Sequence, residues 1–278
     1  MRNTLILLVL SIIPLSLFQM SCEKKTVRSQ GTDWDAVKAI ISENPEVFDL
    51  GFFDTDQDTL FYREITQSNA DIEAGTLLVA DTLHFFDYII LTWGDSLKGK
   101  FHYRVNGKPY EKPISSIALT KAYFEKHGPS YTLHRGWRLR RFGGTVINSV
   151  GTTRGISSLT IISDGIDVDL GESALKKLVH KDSTLVFGKG KEVMFIIKPL
   201  TDTYDFFFLH VKEGDAYQKI PFTNNGDETL SATWTTTTDP EKAEGYKHAI
   251  VDVVNRESVT DTLAKYDSKA WGIIYRIE

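Results

Sequence analysis

Trp271, Ile273, Tyr275 and Ile277 recur at every second position, with Gly272, Arg276 and Glu278 on the other side. Side chains of a strand point alternately to opposite faces, so this spacing predicts a strand with one face buried. Ala249, Val251 and Val253 repeat the pattern. Further strands are expected over 158–163, 165–170, 192–198, 204–212, 217–223 and 229–238, at intervals of about 8–12 residues. Turn-forming "GKGK" (188–191) and "NNGDE" (224–228) separate several of them. A chain that buries one face of each of many short strands must stack two sheets. Residues 158–278 therefore predict an antiparallel β-sandwich, with an immunoglobulin-like topology among the expectations.

The region 32–149 carries a different rhythm. Thr32 reads as an N-cap and Asp35 suits the positive end of a helix. Trp34, Val37, Ile40 and Ile41 then share a helical face before Pro45. A second helix is expected from Ser116 to His127, where Ile117, Thr120, Tyr123 and Phe124 cluster and "HGP" (127–129) terminates. Strands are expected over 83–93, 98–105 and 135–147, with a hairpin turn at Asn106–Gly107 and a bend at Gly143–Gly144. The fold class is thus mainly β with some α: an α+β domain over 32–149, then the sandwich, with the glycine-containing 149–158 as the boundary. A curved sheet with a helix on its concave side would accommodate the first region.

The amino end has its own signature. Arg2 precedes an almost unbroken apolar stretch from Leu5 to Met20, and Ser21 and the chain's single cysteine, Cys22, follow. That stretch is about 16 residues, short of the roughly 20 a membrane span needs, and fits the apolar region of a signal peptide. The element resembles the signal of bacterial lipoproteins, although Gln19 stands where that family usually has leucine. The resemblance covers about 25 residues. It implies cleavage after residue 21, diacylglycerol on the Cys22 sulfur, and a location in the cell envelope, on the periplasmic side or the cell surface. An exported protein meets oxidising surroundings, where cysteines usually pair. Cys22 has no partner, and lipidation would leave no free thiol. Residues 22–31, polar and aperiodic, read as a tether.

Arg2 is the one charged residue before Cys22, so the mature chain carries 31 basic and 37 acidic residues, a formal charge of −6. No basic stripe accompanies it, which argues against a nucleic-acid partner. H-E-x-x-H, G-x-S-x-G, G-x-G-x-x-G and P-loop motifs are all missing. Ser173 and Lys176 satisfy S-x-x-K without the companion motifs of penicillin-binding enzymes.

Three stretches invite a functional reading. Asp54, Asp56 and Asp58 are spaced like the opening of a calcium loop. However, Thr59 and Ile65 occupy the positions where an EF-hand needs glycine and glutamate. Calcium is the one cofactor considered, against the plainer reading of a solvated acidic turn. Asp164, Asp167, Asp169 and Glu172 are explained by alternation with Ile166, Val168 and Leu170. In "HRGWRLRRFGG", a regular strand would place His134, Arg138 and Arg140 on one face, fit to clamp a carboxylate or phosphate or simply to pair across strands. Trp93, Trp137, Trp234 and Trp271 would serve either a sugar-stacking platform or the core. The expected function is a non-enzymatic, membrane-anchored module binding an envelope protein or glycan. The alternative is a glycan hydrolase using dispersed carboxylates.

Overall fold

The computed structural model describes residues 32–49, 60–78, 87–201, 204–213 and 216–278. Cys22, the tether and the aspartates 54, 56 and 58 lie outside them.

The described chain opens with helix α1 (Thr32–Ser42), whose Trp34, Val37, Ile40 and Ile41 are all buried. Asp33 and Asp35 sit in its first turn, where the helix dipole favours negative charge. Asn44 Nδ2 donates to the Ile40 carbonyl at 2.6 Å and ends it. A short α2 (Pro45–Phe48) follows and buries Val47 and Phe48.

Three unusually long strands come next: β1 (Phe61–Leu78), β2 (Tyr88–Val105) and β3 (Lys108–Lys126). At 3.3 Å per residue each spans about 60 Å. The β2–β3 turn is Asn106–Gly107, both with positive φ, as a two-residue hairpin turn demands. Of the strand expected over 83–93, residues 83–86 lie outside the described residues; the rest is continuous with the one expected over 98–105, because Gly94–Leu97 keep pairing with Ser116–Leu119. The helix expected over 116–127 is instead the second half of β3. Ser116, Ala118, Thr120, Ala122 and Phe124, at every second position, are the buried set. Both edges of β3 are paired, to β2 and to β4 (Trp137–Ser149). Thr120 and Thr145 join hydroxyls across that boundary at 2.5 Å.

The remainder is short-stranded: β5 (Ile156–Ser163), β6 (Ile166–Leu170), α3 (Glu172–Leu175), β7 (Val179–His180), β8 (Leu185–Phe187) and β9 (Glu192–Pro199). Then come β10 (Phe206–Glu213), β11 (Ala216–Pro221), β12 (Thr223–Asn224), β13 (Leu230–Thr235), α4 (Pro240–Ala243), β14 (Lys247–Val254), α5 (Arg256–Thr260) and β15 (Ser268–Ile277). Strands appear at each place the sandwich reading expected them.

Two sheets result. The larger has the order β1-β2-β3-β4-β15-β14-β10-β11, with β7 on β4 and β8 on β15; the smaller is β12-β13-β9-β5-β6. The larger sheet runs through the 149–158 junction, because β4 pairs with β15, over Thr145–Asn148 against Lys269–Gly272. The two sheets face each other over Val193, Phe195 and Ile197 on one side and Val251, Trp271 and Tyr275 on the other. The chain is a β-rich protein with packed antiparallel sheets.

The other face of the large sheet is concave. Its outermost strands approach each other: Lys219 Nζ of β11 donates to the Phe61 carbonyl of β1 at 3.2 Å and lies 3.9 Å from the Phe61 ring centre. Helices α1 and α2 cover one end, over Ile89, Leu91, Phe124, Trp137 and Phe142. The other end is filled by Phe61, Phe101, Tyr103, Ile114 and Val259. Beside the register shift of β1 against β2 between Ile65 and Gln67, the Glu64 carbonyl occupies the space a Cβ on Gly99 would need, so only glycine fits there. Among the described residues no helix is long and apolar enough to cross a membrane.

Candidate functional site

Among the described residues, the concave face is open between the two filled ends. Ile41, Pro45 and Phe48 of the helices and Trp93, Leu97 and Ile147 of the sheet border a cleft of about 370 Å³. That is within the range of small-ligand sites, about 300–1,000 Å³. Trp93, Asp95 and Leu97 alternate along β2 and so point into the same space. Phe48 stands edge-on to Trp93, ring centres 6.4 Å apart at 71°. The indole is only partly buried and presents an aromatic wall.

The polar groups are few and acceptor-rich. Asp95 receives the Ser68 hydroxyl at 2.8 and 2.9 Å on its two oxygens, and Asp49 lines the same cleft. Behind it, burial and the Asp49 charge hold the Tyr217 phenol above its ordinary pKa, so it stays neutral. Lys38 Nζ meets Asp71 at 3.1 Å and ties α1 to β1. The cleft can therefore stack an apolar or CH-rich surface and accept hydrogen bonds from hydroxyl or amino groups.

Within the hollow, toward the aromatic end, lies a wholly buried polar network. Arg63 Nη2 contacts Asp252 at 2.8 and 3.1 Å on its two oxygens, and Arg63 Nε donates to the Tyr266 hydroxyl at 2.7 Å. Ser268 Oγ donates to that same oxygen at 2.6 Å, and His210 Nε2 lies 3.4 Å from Asp252. These groups are shielded from solvent and bind β1 to β14 and β10.

The residues singled out in the sequence are scattered. His134 is not on the strand: it and Arg135 have φ of 49° and 53° in a 3₁₀ turn, and β4 begins only at Trp137. Its Nε2 meets Glu43 at 2.8 Å, on α1's side of the sheet. Arg138 and Arg140 do lie on β4, where Arg138 faces Glu125 in register and Arg140 Nε reaches the same carboxylate at 3.3 Å. Of the tryptophans, Trp137, Trp234 and Trp271 are core and only Trp93 borders the cleft. Asp164 pairs with Lys191, Asp169 accepts from Thr160, and Glu172 holds Lys176 and Lys269. Among the described residues no group of three or more His, Cys, Asp or Glu is placed to hold a metal ion. Phe48, Asp49, Ser68 and Asp95 were not legible as site residues. The one available signal was Trp93 and Asp95 at strand spacing.

Compared with protein-family models, with curated proteins and with solved structures, the chain matches none.

Proposed function

We propose that the protein is a lipoprotein of the cell envelope, anchored through Cys22, whose concave cleft binds a glycan. The observation that carries this reading is the pairing of Trp93 with Asp95 on one strand face. An aromatic wall takes the CH face of a sugar, and a carboxylate alongside it accepts hydroxyl protons. The apolar remainder of the cleft supplies shape more than specificity, and the lipid chains would hold the module at a membrane.

The test is titration of the purified chain with a panel of soluble oligosaccharides, followed by tryptophan fluorescence. At least one sugar should saturate the wild type, and Trp93→Ala should weaken it by about tenfold or more, the scale of a lost stacking contact of about 1.5 kcal/mol. Binding of no sugar, or equal binding by the variant, would sink the reading. Fractionation tests the anchor: Cys22→Ser should leave the membrane fraction and take up no labelled fatty acid.

A second reading rests on Asp49 and Asp95 lining the same cleft. Two carboxylates across a sugar are the equipment of a glycosidase. New reducing ends appearing with the wild type and not with Asp95→Asn would make the protein a hydrolase.

A further inference from the structure

The outer, convex face of β2–β3–β4 is a different surface from the cleft, and its chemistry is of opposite sign. The small sheet does not cover it: Arg138 and Arg141 are exposed and Arg140 half-buried. The strand register explains how three arginines come together. Phe124 pairs with Leu139 but Tyr123 pairs with Arg141, so Arg140 is an extra residue, a β-bulge. A bulge re-aims side chains, and here it brings Arg140 to the same face as Arg138 and Arg141.

Among the described residues beside these three guanidinium groups, β3 supplies one carboxylate, Glu125. It is already engaged: Oε2 takes His127 Nε2 at 2.6 Å and Arg140 Nε at 3.3 Å, and the Tyr123 hydroxyl bonds to the same group. These donors hold Glu125 below its ordinary pKa against the opposing effect of burial, so it stays ionised. Neither Arg138 nor Arg141 makes an ion pair among the described residues; Arg141 lies over the Tyr123 ring, 5.2 Å from its centre. Beside it, Tyr88 and Tyr123 form a tilted ring pair 5.5 Å apart, both partly exposed. Lys121 adds an exposed cation two residues along β3. His180 faces Arg141 in register, and its Nδ1 lies 3.4 Å from Asp182, the next carboxylate on this side.

We propose that this face binds an acidic polysaccharide, with Arg138, Arg140 and Arg141 on its carboxylates and Tyr88 and Tyr123 against its sugar rings. Planar guanidinium forks match carboxylates bidentately, and a ring pair beside them favours a sugar over a bare anion. The proposal stands on residues of the sheet face opposite to Trp93, so it survives or falls independently of the cleft.

The experiment is retention of the full chain on immobilised polygalacturonate, with neutral dextran, single-stranded DNA and phosphatidylglycerol vesicles as comparison surfaces. Polygalacturonate should retain the chain at low salt and release it at high salt, and neutral dextran should not retain it. The double variant Arg138→Gln/Arg141→Gln should lose about tenfold or more in affinity, as two charge-assisted contacts disappear. Arg138→Lys/Arg141→Lys should recover only part of that loss, because an ammonium cannot supply the fork. Both positions are exposed, so the melting temperature should stay that of the wild type, and Trp93→Ala should bind polygalacturonate normally. Unchanged retention of the glutamine variant would overturn the proposal. So would DNA or vesicles binding as well as polygalacturonate, or no retention at all.

Discussion

His248 sits on β14 beneath α2, 2 % exposed and opposite Ile274. Burial, reinforced by the charge of Lys212, holds its pKa down to about 3. In the unfolded chain the imidazole protonates near 6.5. Between those values the unfolded state binds a proton that the folded state refuses. The stability due to this residue is therefore complete above pH 6.5 and falls as the pH drops, by up to about 1.4 kcal/mol per unit. Asp33, Glu125, Glu172 and Asp267 have lowered pKa values and lose their contributions only in more acidic solution. Urea midpoints between pH 7 and about 5 thus isolate histidine effects. His248→Gln should flatten the slope in that window; an unchanged slope would remove His248 from the account. A lone histidine between Lys247 and Ala249 gave no hint of this, since its burial depends on a helix some 200 residues earlier in the chain.

At the scale of elements, the concave sheet is held in shape by contacts between strands that are not neighbours. Arg63 on β1 reaches Asp252 on β14 across the sheet's hollow, with the intervening strands curving round behind them. Removing one member of such a pair leaves a buried charge without its counter-ion, so Arg63→Met or Asp252→Leu alone should cost about 3–5 kcal/mol in urea denaturation. The double variant should cost clearly less than the two singles added, because neither charge then remains. Strict additivity would mean that the pair does not act as a clamp. Elements differ in how plainly the sequence announces them. β14 and β15 are legible because large apolar residues alternate against the sandwich core. β3 is not: its buried side offers Ser116, Ala118, Thr120 and Ala122, too small to stand out, while Ile117 is exposed on the other. Hydrophobicity along β3 carries no period of two, and the helical reading filled the gap. The β4 bulge is hidden for another reason. Which residue is extra depends on the partner strand.

The whole molecule joins what composition shifts would divide. β4 belongs to the first region and β15 to the last, yet they are adjacent strands of one sheet. Cutting the chain after residue 149 would bare the β4 edge and uncover Val146 and Trp271. Residues 32–149 and 150–278 made separately should therefore both fail to give dispersed NMR spectra, while the intact chain should melt in a single calorimetric transition. A well-dispersed spectrum from 32–149 alone would mean two independent domains. The cleft was illegible at this scale as well. Phe48 and Trp93 meet only because α2 packs on the sheet, and Ser68 and Asp95 only because the β1–β2 register makes them diagonal neighbours.

That placement of β15 also sets an order in time. β15, which covers Thr145–Asn148 of that edge, is the last of the described strands in chain order, so a growing chain carries β1 to β4 as a ribbon with that stretch bare while residues 150–267 are made. Long-range pairings of this kind form slowly. Whatever handles the newborn chain, whether chaperone or export channel, has that whole interval in which to meet it before it closes.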